Sequence, residues 1–131
     1  MAQKSPLIFV CEHGAAKSII AATYFNKLAN EGNLSTRAIA RGTNPDQELS
    51  PRTIEGLQQD GLMATESTPQ KLTLADIESA ERIVTFCEVP EQYHKKIIVE
   101  QWNGIPPVSE DYEKARDAIL AKLKQLINST I

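Results

Sequence analysis

Cys11 is the residue around which chemistry can be built. An apolar run, Pro6-Leu-Ile-Phe-Val-Cys11, breaks into Glu12-His-Gly-Ala-Ala16 and then into Lys17-Ser18-Ile-Ile-Ala-Ala22, a pattern that reads as strand, tight loop and helix. Such a loop gathers its own backbone N–H groups and those of the helix's first turn around one point, where the helix dipole adds positive potential. A sulfur placed there is favoured as thiolate, the form that acts as nucleophile. The competing explanation is a small buried residue at a strand end, which leaves the array of Gly14, Lys17 and Ser18 behind the thiol unexplained. The expected oxyanion-binding set is therefore Glu12, His13, Gly14, Ala15, Ala16, Lys17 and Ser18, acting largely through the main chain, with Lys17 as the cation. Ser18 can hydrogen-bond the sulfur, cap the helix, or do both. Gly14 supplies a positive-φ position. His13 suits an oxyanion donor or a proton carrier, since imidazole titrates near neutrality; it also suits a plain exposed loop position. Glu12 is out of place beside an anion unless its carboxylate turns away.

Two rival constellations fail on residue type. A nucleotide-binding loop would read G-x4-G-K-[ST]. Lys17-Ser18 matches its end, but Cys11 and Ala16 occupy the two glycine positions. Cys11, His13, Cys87 and His94 contain metal-ligand types, yet Cys-x-His is a poor pairing for structural zinc. No metal and no organic cofactor is expected.

The 131 residues, 41% hydrophobic and 24% charged, are enough for one compact domain over 1–131 with a sizeable core. A net charge of −3 without a block of Lys or Arg argues against nucleic-acid and anionic-membrane partners, while leaving room for a locally positive loop. Met1-Ala-Gln-Lys-Ser-Pro6 carries no apolar signal segment, and no apolar run approaches membrane-spanning length, so a cytoplasmic protein is expected. Two cysteines do not make a secreted disulfide framework; a bond between them would be redox chemistry.

Strands and helices alternate along the chain. A helix over 18–31 stops at Gly32. Another enters at Ser50-Pro51, with Ser50 capping and proline in the first turn, and closes at Gly61. Thr73-Leu-Ala-Asp76 has the form of a capping box. Arg37–Thr43, Arg82–Cys87 and Ile97–Val99 read as further strands. A last helix begins near Ser109 and carries Tyr112, Ala115, Ile119, Leu123 and Leu126 on one face. This is an α/β domain with a parallel sheet.

The spacing Cys-x5-Lys-Ser closely resembles the Cys-x5-Arg-Ser/Thr loop of low-molecular-weight protein tyrosine phosphatases and the related arsenate reductases. The resemblance runs through Arg37–Thr43, Leu49–Thr53, Arg82–Cys87 and Trp102-Asn-Gly-Ile-Pro-Pro107. It implies a three-layer α/β sandwich, a four-stranded parallel sheet of order 2-1-3-4 with helices on both faces. It also implies a thiol-dependent enzyme in which Cys11 attacks a phosphoryl or arsenate group, Lys17 and the loop hold the oxygens, and Ser18 assists the sulfur. A second thiol at Cys87 would serve a reductase. If strands one and three are neighbours, their spacing of about 4.8 Å falls within the roughly 4.4–6.8 Å between Cα atoms that a disulfide spans; a simple core residue is the other explanation for Cys87. The implied partners are a small oxyanion or phosphorylated substrate and, for a reductase, thioredoxin, glutaredoxin or glutathione.

Two departures from the family pattern carry weight. Lysine replaces the arginine that grips two oxygens at once, offering only a point charge. Pro106 stands before Pro107 where the family has its acidic proton donor, and Glu110 or Asp111 would substitute only if that segment folded back. The alternative is thus a catalytically impaired relative that binds oxyanions in a regulatory role. Tyr93 and Trp102 would either shape an aromatic substrate groove or pack as core or rim residues.

Overall fold

The computed structural model describes residues 6–87, 99–102 and 104–130. Eight elements follow in order: β1 Leu7–Cys11, α1 Lys17–Glu31, β2 Ala38–Gly42, α2 Pro51–Gln59, α3 Leu74–Ser79, β3 Arg82–Thr85, β4 Val99–Gln101 and α4 Tyr112–Thr130. The strands form one sheet in the order β2-β1-β3-β4, parallel throughout, as expected.

Strand β1 is buried along its whole length, which is why it reads as an unbroken apolar run: a central parallel strand is covered on both faces. Its residues alternate between two cores. Leu7 and Phe9 join Ile19, Phe25, Ile119 and Leu123 beneath α1 and α4. Ile8 and Val10 join Leu72, Ile77 and Ile83 beneath α3. Helices therefore lie on both faces of the sheet. Strand β2, at an edge, alternates buried and half-buried positions instead.

Local signals hold well. Ser50 accepts from the Thr53 N–H with Pro51 opening α2, and Gly61 lies just past its end at φ +78°. Thr73 and Asp76 make a reciprocal capping box on α3. Tyr112, Ala115, Ile119, Leu123 and Leu126 are all buried on one side of α4.

Three boundaries move. Helix α4 starts at Tyr112 rather than Ser109, because the Asp111 carboxylate accepts from the Lys114 N–H at 3.1 Å and the chain before it is a turn. Strand β3 ends at Thr85, two residues before Cys87, because the chain bends once the Phe86 N–H has donated to Val10 O at 2.8 Å. Of the expected fourth strand only Val99 falls within the described residues, and β4 continues from it to Gln101. Since β1 is followed outward by β2 and β3 outward by β4 on the opposite side, the strand order switches between β1 and β3, where a crevice opens beyond the strands' carboxyl ends.

Candidate active site

The loop between β1 and α1 is shaped from outside by the segment that follows β2. The Thr43 N–H donates to Cys11 O at 3.2 Å, Asn44 to Glu12 O at 2.7 Å, Asp46 to His13 O at 3.0 Å and Ser50 to Ala15 O at 3.0 Å. In a planar trans peptide the N–H points opposite to the carbonyl. Drawing these carbonyls outward therefore turns the amides of Glu12, His13, Gly14 and Ala16 inward. Among the described residues, none of these amides donates to a backbone carbonyl. Helix α1 adds to the set, because Ala16 at its N-cap gives no side-chain cap and the first-turn N–H groups stay unspent.

Two glycines make this curvature sterically feasible. Gly14 sits at φ +62°, as its expected role requires. Gly42, at the end of β2, packs against it: a Cβ on Gly42 would lie 2.7 Å from Gly14 N and 2.9 Å from Gly14 Cα. The strand end supports the loop by backbone contact that no side chain allows.

Cys11 ends β1 and is 8% exposed. Its sulfur lies 3.0 Å from the hydroxyl of Ser18, which is fully buried. Ser18 is the second residue of α1, so its hydroxyl meets the sulfur and does not cap the helix. The Lys17 ammonium donates to Ile105 O at 3.1 Å, tying the loop to the segment that leads into Pro106-Pro107. That bond uses one of its three protons.

Cys87 is half-buried and, like Cys11, a free thiol. Both line one concavity of about 330 Å³ together with Glu12, His13, Lys17 and Asp46. Burial pushes the Cys87 thiol above its ordinary value; negative charge on Cys11 and Glu12 adds to this, while a Thr43 hydrogen bond and Lys17 oppose it.

His13 Nδ1 lies 3.1 Å from Asp46 Oδ1 and its Nε2 lies 3.7 Å from Glu12 Oε2. Glu12 thus stays at the concavity instead of turning away, with the imidazole between it and Asp46. The sequence pointed to Glu12 and His13 but not to Asp46, Thr43 or Gly42. Asn44-Pro45-Asp46 carries a turn signal, yet nothing in the pattern says which loop the turn meets.

Other expectations are corrected or fall away. Trp102 is buried, with Phe9 and Phe86 rings 5.7 and 5.8 Å from its own, so it is a core residue and shapes no groove. Glu110 and Asp111 border a different concavity, beside Arg52 and Glu55 of α2; they do not fold back to serve as acid. Tyr93 and His94 lie outside the described residues. Among the described residues, no helix is long and apolar enough to cross a membrane.

Comparison with known proteins agrees with this geometry. A family model for low molecular weight phosphotyrosine protein phosphatases matches residues 6–105. A putative arsenate reductase of Halobacterium salinarum is 22% identical over 112 residues, covering 83% of this chain and 79% of that protein. The crystal structure of YfkJ from Bacillus subtilis superposes with a TM-score of 0.85 at 15% identity, over 98% of this chain and 95% of that one. An arsenate reductase from Archaeoglobus fulgidus superposes with a TM-score of 0.73 at 25% identity, over 93% and 98%. With a cysteine at the head of an amide-lined loop and a family match over most of its length, the chain belongs to the low molecular weight phosphotyrosine protein phosphatase family.

Proposed function

We propose that the chain, read as one domain over 1–131, is a cytoplasmic thiol-dependent phosphatase. Its substrate is a phosphorylated molecule or small oxyanion held above Cys11. The thiolate attacks phosphorus, the inward amides of the loop and the free protons of Lys17 hold the non-bridging oxygens, and Ser18 stabilises the sulfur as it forms and later releases the phosphoryl bond. The observation that carries this is the outward bonding of the carbonyls of Cys11, Glu12, His13 and Ala15. A loop that spends its acceptors and keeps its donors is built for an anion.

Arsenate reduction is the second reading, and one observation favours it: Cys87 shares the concavity of Cys11. A second thiol there would attack the sulfur–arsenic adduct, forming the Cys11–Cys87 disulfide as arsenic leaves in its reduced state. Thioredoxin, glutaredoxin or glutathione would then reduce the pair.

One preparation assayed with both substrate classes separates the readings. Release of phosphate from p-nitrophenyl phosphate that survives Cys87→Ser supports the phosphatase. Arsenate reduction that Cys87→Ser abolishes supports the reductase. Activity on neither, with phosphate still protecting Cys11 from iodoacetamide, identifies an oxyanion-binding protein without turnover. Without phosphate, Cys11 should alkylate before Cys87 as pH rises, since burial holds back ionisation of Cys87 and only the thiolate reacts.

A further inference from the structure

We infer that His13, oriented by Asp46, is the catalytic proton donor to the leaving group. The inference deepens the phosphatase reading and rests on it. Cleavage of a phosphate ester leaves an alkoxide or phenoxide unless a positioned acid supplies a proton. Of the titratable groups around the concavity among the described residues, Lys17 turns one proton to Ile105 O and its others to the non-bridging oxygens, and Cys87 is a half-buried thiol that burial pushes away from ionisation. Glu12 and Asp46 place carboxylate oxygens 3.7 and 3.1 Å from the two nitrogens of the His13 ring, and so are its ion-pair partners. Among the described residues that line the concavity, His13 is the one whose ring can give a proton near neutral pH and is held by an ion pair.

The ring's placement comes from two contacts between the same residues, a hydrogen bond and an ion pair. The Asp46 N–H donates to His13 O at 3.0 Å, and Asp46 Oδ1 lies 3.1 Å from His13 Nδ1, within ion-pair distance. The main-chain bond holds the segments together, and the ion pair draws the ring toward Asp46. With Nδ1 facing Asp46, Nε2, which lies 3.7 Å from Glu12 Oε2, is the nitrogen left to exchange protons. Among the described residues, the titratable groups that line the concavity with it are Glu12 on its own loop, Asp46 after β2, Cys11 at the end of β1, Lys17 at the start of α1 and Cys87 beyond β3.

The balance is complete without another reactant. As the Cys11 sulfur–phosphorus bond forms and the phosphorus–oxygen bond to the leaving group breaks, the Nε2 proton passes to the departing oxygen. The ring is left neutral beside Asp46. In the second step neutral Nε2 takes a proton from water as its oxygen attacks phosphorus, and the thiolate departs. Asp46 is a positioning residue throughout.

The test compares phenyl phosphate with p-nitrophenyl phosphate, whose leaving group departs readily as an anion. H13Q should lower kcat on phenyl phosphate about 10²-fold and on p-nitrophenyl phosphate less than about tenfold. It should also erase the alkaline limb of the phenyl phosphate kcat profile. D46N should move that limb and reduce kcat on phenyl phosphate about tenfold with little change in KM. H13N, which keeps a small polar side chain, repeats the measurement should H13Q disturb the loop. Equal losses on both esters, or an alkaline limb that persists in H13Q and H13N, would overturn the proton-donor role and leave the nucleophile reading standing. Failure of the native protein to hydrolyse either ester would overturn both; phosphate protection of Cys11 would then separate a binding loop from no anion site.

Discussion

The loop at Cys11 and the polar clamp at Asp60 treat hydrogen-bonding capacity in opposite ways. Asp60, at the end of α2, accepts the hydroxyls of Tyr24 on α1 and Tyr112 on α4 at Oδ2, the latter at 2.9 Å. Its Oδ1 accepts Arg116 Nη1 at 3.0 Å. Arg116 in turn lies 5.8 Å from the centre of the Tyr112 ring. Burial works to raise the Asp60 carboxyl, but the Tyr24 and Tyr112 hydroxyls and the Arg116 charge outweigh it and hold the group below its ordinary value. Burial and then the Asp60 interaction push both tyrosines the other way. Here the polar atoms are spent on one another, and the outcome is stability. At the loop, acceptors are spent and donors kept, so capacity remains for a ligand. Burial alone separates the two poorly, since Ser18 is more deeply buried than Asp60. What separates them is whether the donors already have partners.

The sharpest way to break the comparison is Gly42→Ala. Its Cβ would meet backbone atoms of Gly14 and His13 at 2.7–2.9 Å, so the loop must move. Oxyanion affinity should fall on the order of 10²-fold, read as loss of phosphate protection at Cys11. Retained affinity would mean that the inward amides are not the cradle.

Asp60→Asn tests the other side. It leaves Arg116 without its charged acceptor across the helices and should cost about 2 kcal/mol at neutral pH, measured by urea unfolding, with phosphate affinity changed less than about twofold. Because folding lowers the Asp60 carboxyl, its contribution is present above the unfolded-state value of about 3.9 and is lost as pH falls through the lower folded-state value. The native protein's advantage over Asp60→Asn should therefore hold at neutral pH and shrink in acid. An advantage that grows in acid would contradict the assigned direction.

Lys17→Arg is the smallest of the three effects. A guanidinium holds two oxygens where an ammonium holds a point charge, so oxyanion affinity should rise about fivefold, roughly the net gain of one ordinary hydrogen bond. A lower affinity would show that the bond to Ile105 O matters more to the loop than the grip on the anion.

The amino-acid sequence by itself determined whatever depends on neighbours along the chain. The apolar run into Cys11, the glycine at a left-handed position, Ser50 before Pro51, the Thr73 and Asp76 box and the buried stripe of α4 all arise within a few residues, where backbone sterics and periodicity decide. Family resemblance extended this to strand order. Only the tertiary structure decided which distant groups meet. It brought Asp46 to His13, the Lys17 ammonium to Ile105 O and Cys87 into the concavity of Cys11. It also placed Gly42 against Gly14 and drew Trp102 into the aromatic core beside Phe9. These are contacts across long separations, set by how the sheet and helices pack. A local pattern can name a turn at Asn44-Pro45-Asp46, but only the packed chain determines that its N–H groups reach the carbonyls behind the nucleophile.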